Sequence, residues 1–237
     1  MERLDKFIAS QTGLSRTQAH EKIRAGAVCV NGKVERTKDR KVDPEKDDVT
    51  LSGQSVVYRK YIYIMMNKPG GVVSASRDPK ERTVIDLVPS DMKRKDLFPA
   101  GRLDKDTTGL LIITDDGEFA HRMLAPGKGV YKKYHAVLRS PVGDDEVRRF
   151  AEGVEIDGGE VCRQARLYPD SDGCGAAVEI CEGKYHQVKR MFAAVGNEVL
   201  SLRRLSVGAV DLDEALKEGE CRLLNDDEVA GLLKNKE

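Results

Sequence analysis

From residue 61 onward, the apolar residues of this chain come in short runs that end at turn-forming residues. Residues 61–66 are followed by Asn-Lys-Pro-Gly-Gly, and residues 110–114 by Asp-Asp-Gly. Apolar runs of this length between turn residues predict short buried β-strands. Further strands are predicted from Lys132 and over residues 176–181 and 199–205, and helices over residues 118–124, 144–152 and 187–195. The order of elements predicts an α+β fold on a mostly antiparallel sheet flanked by helices and loops.

The first sixty residues follow a different pattern, which predicts a small module of its own. Leu4, Phe7 and Ile8 recur at helical spacing, and Ser15 is placed to cap a second helix. Asn-Gly at residues 31–32 separates two short β-forming runs. This pair predicts a hairpin because both turn residues accept positive φ. With a linker expected after about residue 53, we predict a small N-terminal domain over residues 1–57 and a second domain over residues 58–237.

The charge of the chain is balanced overall but not locally. There are 40 basic and 40 acidic residues in all. Residues 1–60 hold 13 lysines and arginines against 9 acids, whereas residues 205–237 hold 4 against 9. A protein that binds a polyanion needs a basic face, not a basic total. The distribution therefore permits nucleic-acid binding.

Several classes of protein are disfavoured by the composition. No apolar run reaches the length of a membrane span, and the charged residues 1–6 do not fit a signal peptide, so a soluble, cytoplasmic protein is expected. The five cysteines form no Cys-x-x-Cys pair, and the four histidines lack metal-ligand spacing. Phosphate-loop, dinucleotide-binding and nucleophile-elbow motifs do not occur. We predict neither metal nor cofactor, which leaves carboxylate chemistry supported by basic residues.

Residues 98–111 are the stretch best suited to such chemistry. They form a polar, glycine-bounded loop that carries Asp104 and Asp106 and leads into the strand predicted at residues 110–114. A rigid loop of this kind can hold a reactive carboxylate in place. Taken alone, either aspartate could instead cap a turn. A glycosidase pair is a further interpretation, although acids two residues apart are poorly placed to flank a bond from two sides.

Several blocks of the sequence resemble known families. Gly-Arg-Leu-Asp at residues 101–104, followed by x-Asp-Thr-Thr-Gly-Leu-Leu-x-x-Thr-Asp-Asp-Gly, resembles the catalytic motif of the RsuA-type pseudouridine synthases. Asn-Lys-Pro at residues 67–69, the Lys-x-Tyr strand at 132–138 and the segment 182–197 resemble other motifs of that family. Arg-Leu-Asp-Lys at residues 3–6, Ser-Arg at 15–16 and the hairpin region at 23–32 resemble the S4 RNA-binding domain. Together the resemblances cover nearly the whole chain.

The resemblance implies isomerisation of uridine to pseudouridine in ribosomal RNA, with Asp104 as the catalytic carboxylate. It assigns Arg204 as the basic partner that keeps Asp104 charged and Tyr134 as the ring that stacks on the uracil. The reaction takes no group from another molecule, so no cofactor is expected. Phosphate contacts are implied for the basic residues Arg16, Lys22, Arg24, Lys33, Arg102, Lys184, Lys189 and Arg190.

The sequence leaves more than one ribosomal RNA open as the substrate. The late motif and the ending of the chain look closest to family members that act on 16S rRNA, either free or in a small-subunit assembly intermediate. The same chemistry on 23S rRNA is the main alternative. A non-catalytic ribosome assembly factor is the other, because S4-like modules also occur in proteins that are not enzymes. A monomer is expected, since no dimerisation stripe is evident.

Overall fold

The computed structural model describes residues 1–171 and 174–236, except for the side chain of Pro126. The chain folds as two units. The first comprises Met1–Ile62 and Val88–Leu97, and the second comprises Tyr63–Leu87 and the chain from Phe98 onward. The assignment of residues 1–57 and 58–237 to domains with separate roles stays a prediction. Within the described residues, none of the helices has the length and apolar content needed to cross a bilayer.

The first unit combines short helices and β-strands around an apolar core. Its elements are β1 (Glu2–Arg3), α1 (Leu4–Gln11), α2 (Arg16–Arg24), β2 (Val28–Val30), β3 (Lys33–Val34), β4 (Lys41–Val42), β5 (Val49–Leu51) and β6 (Gln54–Ser55). Strands β3, β2, β5 and β6 follow one another in an antiparallel sheet, and β1 pairs with β4. Leu4, Phe7, Ile8 and Ile23 of the two helices form the core together with valines of β2, β4 and β5.

The local features predicted for this unit are confirmed. Helix α2 begins after Ser15, whose hydroxyl accepts a hydrogen bond from the backbone amide of Gln18 at 3.2 Å. The side chain of Gln18 accepts in return from the backbone amide of Ser15, which completes a capping box. In the hairpin, Asn31 and Gly32 have φ values of 52° and 75°. These are the left-handed conformations that an Asn-Gly turn supplies.

The second unit is built on a large sheet with helices between its strands in the sequence. Its strands are β7 (Tyr63–Lys68), β8 (Phe98–Pro99), β9 (Thr108–Thr114), β10 (Lys132–Leu138), β11 (Glu155–Ile156), β12 (Glu160–Val161), β13 (Arg166–Pro169), β14 (Gly175–Ile180), β15 (Val199–Val207), β16 (Val210–Asp211) and β17 (Cys221–Leu223). Its α-helices are α3 (Gly117–Leu124), α4 (Asp144–Glu152), α5 (Gln187–Ala194) and α6 (Asp226–Gly231), and two 3-10 turns lie at Val84–Leu87 and Pro126–Lys128.

The strands of the large sheet follow the order β13-β14-β10-β15-β9-β7-β17, with β8 paired to β9 and β16 paired to β15. Among the described strands of this sheet, β9 and β15 pair in parallel and the other pairs are antiparallel. The predicted α+β fold on a mostly antiparallel sheet is therefore confirmed.

An apolar core joins the middle of this sheet to α3. Leu110 and Ile112 of β9 pack with Phe119 and Met123 of α3. Asp116 caps the helix by accepting a hydrogen bond from the backbone amide of Phe119 at 3.0 Å. Strand β9, which directly follows the loop with the candidate carboxylate, is thus anchored in the centre of the unit.

Two of the strand boundaries that differ from the prediction involve buried polar residues. The strand predicted over residues 61–66 is observed at Tyr63–Lys68, and it ends in the buried polar residues Asn67 and Lys68. The strand predicted over residues 199–205 continues to Val207 and includes the buried Ser206. Both differences have one cause, because an apolar pattern does not mark polar residues that a sheet buries.

The parallel pair of β9 and β15 brings two backbones unusually close together. Gly109 stands opposite Arg204 in this register and has a φ of 98°. A Cβ atom at Gly109 would lie 2.2 Å from the carbonyl oxygen of Arg204. Glycine fits both this conformation and this space, whereas any larger residue would clash. The end of the loop before β9 is thereby held against the strand that carries Arg204.

Candidate active site

The second unit contains an open cleft of about 740 Å³. The three residues predicted to be catalytic, Asp104, Tyr134 and Arg204, all line it. Arg102 and Lys184, two of the predicted RNA contacts, line it as well. The fold therefore brings the reactive loop, β10 and β15 to one place.

Asp104 lies in the loop between β8 and β9, and backbone hydrogen bonds hold this loop in shape. The hydroxyl of Ser74 donates to the carbonyl of Leu103 at 2.8 Å and accepts from the amide of Leu103 at 3.1 Å. The amide of Thr107 donates to the carbonyl of Asp104 at 3.1 Å. Because these bonds involve the backbone, the conformation of the loop is held without using the carboxylate oxygens of Asp104.

A buried lysine ties the same loop to the end of β7. Lys68 is fully buried, and its ammonium donates to the backbone carbonyls of Pro69, Lys105 and Thr107 at 3.0, 3.2 and 2.9 Å. Burial lowers the pKa of Lys68 to about 8, although nearby acids act in the opposite direction. Through Lys68, the Asn-Lys-Pro motif at residues 67–69 therefore stabilises the backbone of the loop that carries Asp104.

Two basic side chains approach the carboxylate of Asp104. Nε2 of His186 lies 3.4 Å from Oδ1, and Nζ of Lys189 lies 3.6 Å from Oδ2. Lys189 also binds both carboxylate oxygens of Asp106 at 2.7 Å, and this hydrogen bonding lowers the pKa of Asp106. Lys189, predicted as a phosphate contact, thus bridges the two acids of the loop.

The ion pair predicted between Arg204 and Asp104 is not formed within the residues that the structure describes. Nε of Arg204 instead donates to the carbonyl of Leu110 at 2.7 Å, because the parallel register of β9 and β15 places that carbonyl beside it. Arg204 is buried, and its guanidinium lies 6.0 Å from the ring centroid of Tyr134. Arg203, the neighbouring residue on β15, pairs with the exposed Glu218 at 3.4 Å. Of these two adjacent arginines, Arg204 is the one that lines the cleft.

Tyr134 and Lys132 share one face of β10. They are two residues apart, both are buried, and both line the cleft. Tyr134 stands opposite Arg204 in the register of β10 and β15. Burial, and next the charge of Arg204, lower the pKa of Lys132 to about 8. This wall of the cleft thus carries the ring of Tyr134 with one cation on the same strand and another on the neighbouring strand.

The predicted RNA contacts of the second unit lie at the cleft or on α5. Arg102 is exposed at the cleft. Lys184 lines the cleft and pairs with Glu160 at 2.8 Å. Arg190 lies on α5, where it donates to the backbone carbonyl of Asp157 at 2.8 Å. Lys184 and Arg190 thus have protein partners in this structure, and the contacts of all three residues with RNA stay predictions.

The predicted RNA contacts of the first unit lie on α2 and the hairpin. Lys22 and Arg24 of α2 and Lys33 of β3 are exposed. Arg16 pairs with the buried Asp5 at 3.1 Å, which fixes the direction of its side chain. Their contacts with RNA stay predictions.

Three residues of this site were given no role by the sequence analysis. Lys132 could have been found, because it lies two residues before Tyr134 and alternate residues of a strand share a face. Lys68 lies in a motif that was noticed, but its acceptors are distant backbone carbonyls. His186 could not be found, since the contact depends on a left-handed residue at the start of α5, with φ of 48° and ψ of 34°.

Comparison with known proteins identifies the family of this chain. The family model for RNA pseudouridylate synthase matches residues 62–194, and that for the S4 domain matches residues 2–49. The chain belongs to the RNA pseudouridylate synthase family. This synthase is 45% identical over 230 residues to an uncharacterized RNA pseudouridine synthase of Bacillus subtilis, with 96% of each chain covered. It is 41% identical over 232 residues to the ribosomal small subunit pseudouridine synthase A of Escherichia coli, with 98% of this chain and 100% of the relative covered.

A solved structure agrees with this identification. The synthase is 38% identical to a crystal structure described as a pseudouridylate synthase, with a TM-score of 0.68 and coverage of 98% of this chain and 100% of that chain. The family resemblance seen in the motifs is confirmed. The chain is an S4-containing enzyme that makes pseudouridine in RNA.

Proposed function

We propose that this synthase isomerises a uridine of ribosomal RNA, with 16S rRNA as the favoured target and Asp104 as the reacting carboxylate. The observation that carries the proposal is the position of Asp104 on a backbone-fixed loop, in the same cleft as Tyr134 and Arg204. In this proposal, residues 1–57 dock the RNA and residues 58–237 perform the chemistry.

Isomerisation of uridine breaks the N1–C1′ bond and rejoins the base to the ribose through C5. The bonding electrons leave with the uracil, so a carboxylate must either attack C1′ or remove a proton from the ribose. Asp104 supplies the carboxylate in both cases. Since the product is an isomer of the substrate, nothing is oxidised and no group is donated, and the proposed reaction includes no cofactor or metal.

The residues around Asp104 have distinct roles in this mechanism. Lys189 holds the carboxylate by electrostatic attraction, and His186 contacts it through Nε2. Tyr134 presents its ring to the uracil, because unpaired bases are held by aromatic stacking. Arg204 binds the backbone of β9 and so fixes the wall behind that ring.

The target base must leave its helical stack to enter the cleft, which costs roughly a few kcal/mol. Phosphate contacts offset this cost, and the basic residues already described supply them from both units. Binding should therefore weaken as salt rises, because each phosphate contact releases counterions.

The choice of 16S rRNA is supported by the relatives. The Escherichia coli protein that matches this chain from end to end is named for the ribosomal small subunit. The same chemistry on 23S rRNA is the main alternative. We further propose that the enzyme works as a cytoplasmic monomer.

Asp104→Asn tests the chemistry. Asparagine keeps the shape of the side chain and the backbone bonds of the loop, so the variant should fold and bind RNA. We expect the release of tritium from a 16S rRNA transcript labelled at C5 of uridine to fall by roughly 10³-fold or more. Asp106→Asn is the matched control on the same loop, and it should lose at most about tenfold. An active Asp104→Asn enzyme would overturn the proposal.

Pseudouridine mapping in a strain that lacks this chain tests the substrate. Loss of one site in 16S rRNA would support the favoured target, and loss of a site in 23S rRNA alone would overturn it. No lost site, combined with no tritium release by the purified protein, would instead indicate a non-catalytic assembly factor.

A further inference from the structure

Lys132 is a buried cation at the wall of the cleft. It is 5% exposed and lines the cleft with Tyr134. Within the described chain, no hydrogen bond of its ammonium and no ion pair within 4.0 Å is formed. Lys68, another buried lysine of this unit, has three carbonyl acceptors. Buried charges are normally paired, so a buried lysine without a hydrogen bond or ion pair in the described chain indicates that a ligand binds there.

The neighbours of Lys132 neutralise it only in part. Arg204, on the adjacent strand, repels it. Cys181 and Glu182 act in the opposite direction and favour the ammonium. Oε1 of Glu182 already accepts hydrogen bonds from the amide of Arg163 at 2.9 Å and the side chain of Gln187 at 2.7 Å. With a pKa of about 8, the ammonium remains largely protonated at neutral pH. The cleft therefore holds a positive charge that an incoming group can use.

We propose that Lys132 is a further catalytic residue, whose ammonium donates to a carbonyl oxygen of the uracil and stabilises the negative charge that the base carries after N1–C1′ cleavage. The proposal rests on the function proposed above. Its geometric basis is the shared face of β10, on which Lys132 and Tyr134 are separated by roughly 6.6 Å along the strand. A uracil stacked on Tyr134 extends over that distance and presents its edge to Lys132.

The step conserves atoms and electrons. The electron pair of the N1–C1′ bond moves onto the uracil ring, where N1 and the carbonyl oxygens share it. C1′ gains a bond to Asp104, or the ribose loses its C2′ proton to Asp104 and regains it later. C5 then bonds to C1′ and, where the C1′–Asp104 bond had formed, displaces the Asp104 carboxylate with its electron pair. The C5 proton is released, and N1 takes up a proton. Lys132 keeps its proton throughout.

The charge on the base exists only once the bond is breaking, which is why the contact would accelerate the reaction. An interaction that strengthens as charge develops stabilises the transition state more than the bound substrate. In a site shielded from water, one such donor typically contributes roughly 10²- to 10³-fold in rate.

Lys132→Met tests the proposal. Methionine keeps the apolar stem and removes the ammonium, so the variant should fold, and its Tm should rise because an unpaired buried charge is lost. We expect single-turnover tritium release from the labelled 16S rRNA transcript to fall by roughly 10²-fold or more, while Kd for the RNA changes by less than about threefold. Lys132→Arg keeps a charge and should recover at least about tenfold of that loss.

A substrate with a better leaving group distinguishes a catalytic role of Lys132 from a structural one. The anion of 5-fluorouracil is more stable than that of uracil, so it needs less help from Lys132. On a 16S rRNA transcript that carries 5-fluorouridine, Lys132→Met should lower the single-turnover rate at which the N1-linked base is lost. This decrease should be at least about tenfold smaller than the decrease measured on the uridine transcript. An equal loss on both transcripts, a loss below threefold, or a lower Tm would overturn the role of Lys132.

The two proposals fail in different ways. A wild-type chain that releases no tritium from 16S or 23S rRNA would overturn the proposed function and the role of Lys132 with it. An active wild-type chain with an equally active Lys132→Met variant would overturn the role of Lys132 alone.

Discussion

His186 contacts Asp104 from a backbone conformation that few residues other than glycine adopt. Its φ of 48° lies in the left-handed region, and its Nε2 is 3.4 Å from Oδ1 of the acid. Strain of this kind persists where the surrounding structure enforces it, and it often marks a functional constraint. We infer that His186 is a positioning residue for Asp104.

Replacing His186 by asparagine should slow the reaction without unfolding the protein. Asparagine tolerates the left-handed conformation but is too short to reach Asp104. We expect the single-turnover rate to fall about tenfold, which corresponds to ~1.4 kcal/mol. His186→Ala should show the same loss with a lower Tm, because alanine is less tolerant of this backbone. An unchanged rate for both variants would show that the contact has no role in positioning the acid.

Tyr185 should contribute to RNA binding. Its side chain lines the cleft, the residue is 71% exposed, and its ring stacks on His186 at a centroid distance of 3.8 Å. A stacked base contributes about 1–3 kcal/mol, so Tyr185→Ala should weaken binding of a 16S rRNA fragment by roughly 5- to 150-fold. Tyr185→Phe keeps the ring and should bind normally, and neither variant should change Tm. Equal binding by the alanine variant and the wild type in a filter-binding assay would refute this role.

Lys22 should affect the salt dependence of binding rather than its chemistry. The residue is exposed on α2, and each lost phosphate contact lowers the slope of log Kd against log salt concentration by about 0.7 to 1. Lys22→Gln should show that change and keep the single-turnover rate at saturating enzyme. Lys46→Gln is the control, since Lys46 is an exposed lysine of the same unit with no predicted contact. The same slope for wild type and Lys22→Gln would remove Lys22 from the interface.

Gly109→Ala should destabilise the second unit. The added Cβ would meet the carbonyl oxygen of Arg204, and φ at this position is 98°. We expect a loss of about 3 kcal/mol or more in the free energy of unfolding, seen as a lower denaturant midpoint, together with lost activity. Gly117→Ala is the control, because its Cβ would meet open space at the start of α3. That substitution should be neutral or stabilise by about 0.5–1 kcal/mol.

The stability of the wild type relative to Lys132→Met should depend on pH. The pKa of Lys132 falls from 10.5 to about 8 on folding, so the unfolded chain binds more protons between these two values. The penalty for burying the charge is therefore complete below pH 8, decreases as pH rises to 10.5, and is absent above that. Lys132→Met should be the more stable protein at pH 7, by on the order of 3 kcal/mol, and this advantage should disappear by pH 10.5. Chemical denaturation at both pH values measures it, and a constant difference would contradict it.

Much of the fold could be predicted because its determinants are local. Ser15 with Gln18 forms the predicted cap, and Asn31 with Gly32 forms the predicted turn. Each depends on residues that are neighbours in the sequence. The loop of Asp104 was found in the same way, from glycines, polar residues and a following apolar strand.

The contacts within the site could not be predicted, because they depend on pairing between distant segments. Arg204 binds the carbonyl of Leu110 instead of the carboxylate of Asp104, and this follows from the parallel register of β9 and β15. Similarly, Lys68 finds its acceptors in the loop at residues 105–107. A sequence motif identifies which residues lie together in the site. The register of strand pairing determines which of their atoms are in contact.

The backbone support of the loop at residues 101–107 does not depend on which side chain stands at position 104. Its hydrogen bonds to Ser74 and Lys68 run through the backbone, so the side chain at position 104 can be exchanged without loosening the support. Asp104→Cys would therefore place a thiol at the reacting position in an otherwise intact cleft. The thiol of this variant could be cross-linked to an RNA that carries an electrophilic uridine analogue. The cross-link would identify the nucleotide that the enzyme selects.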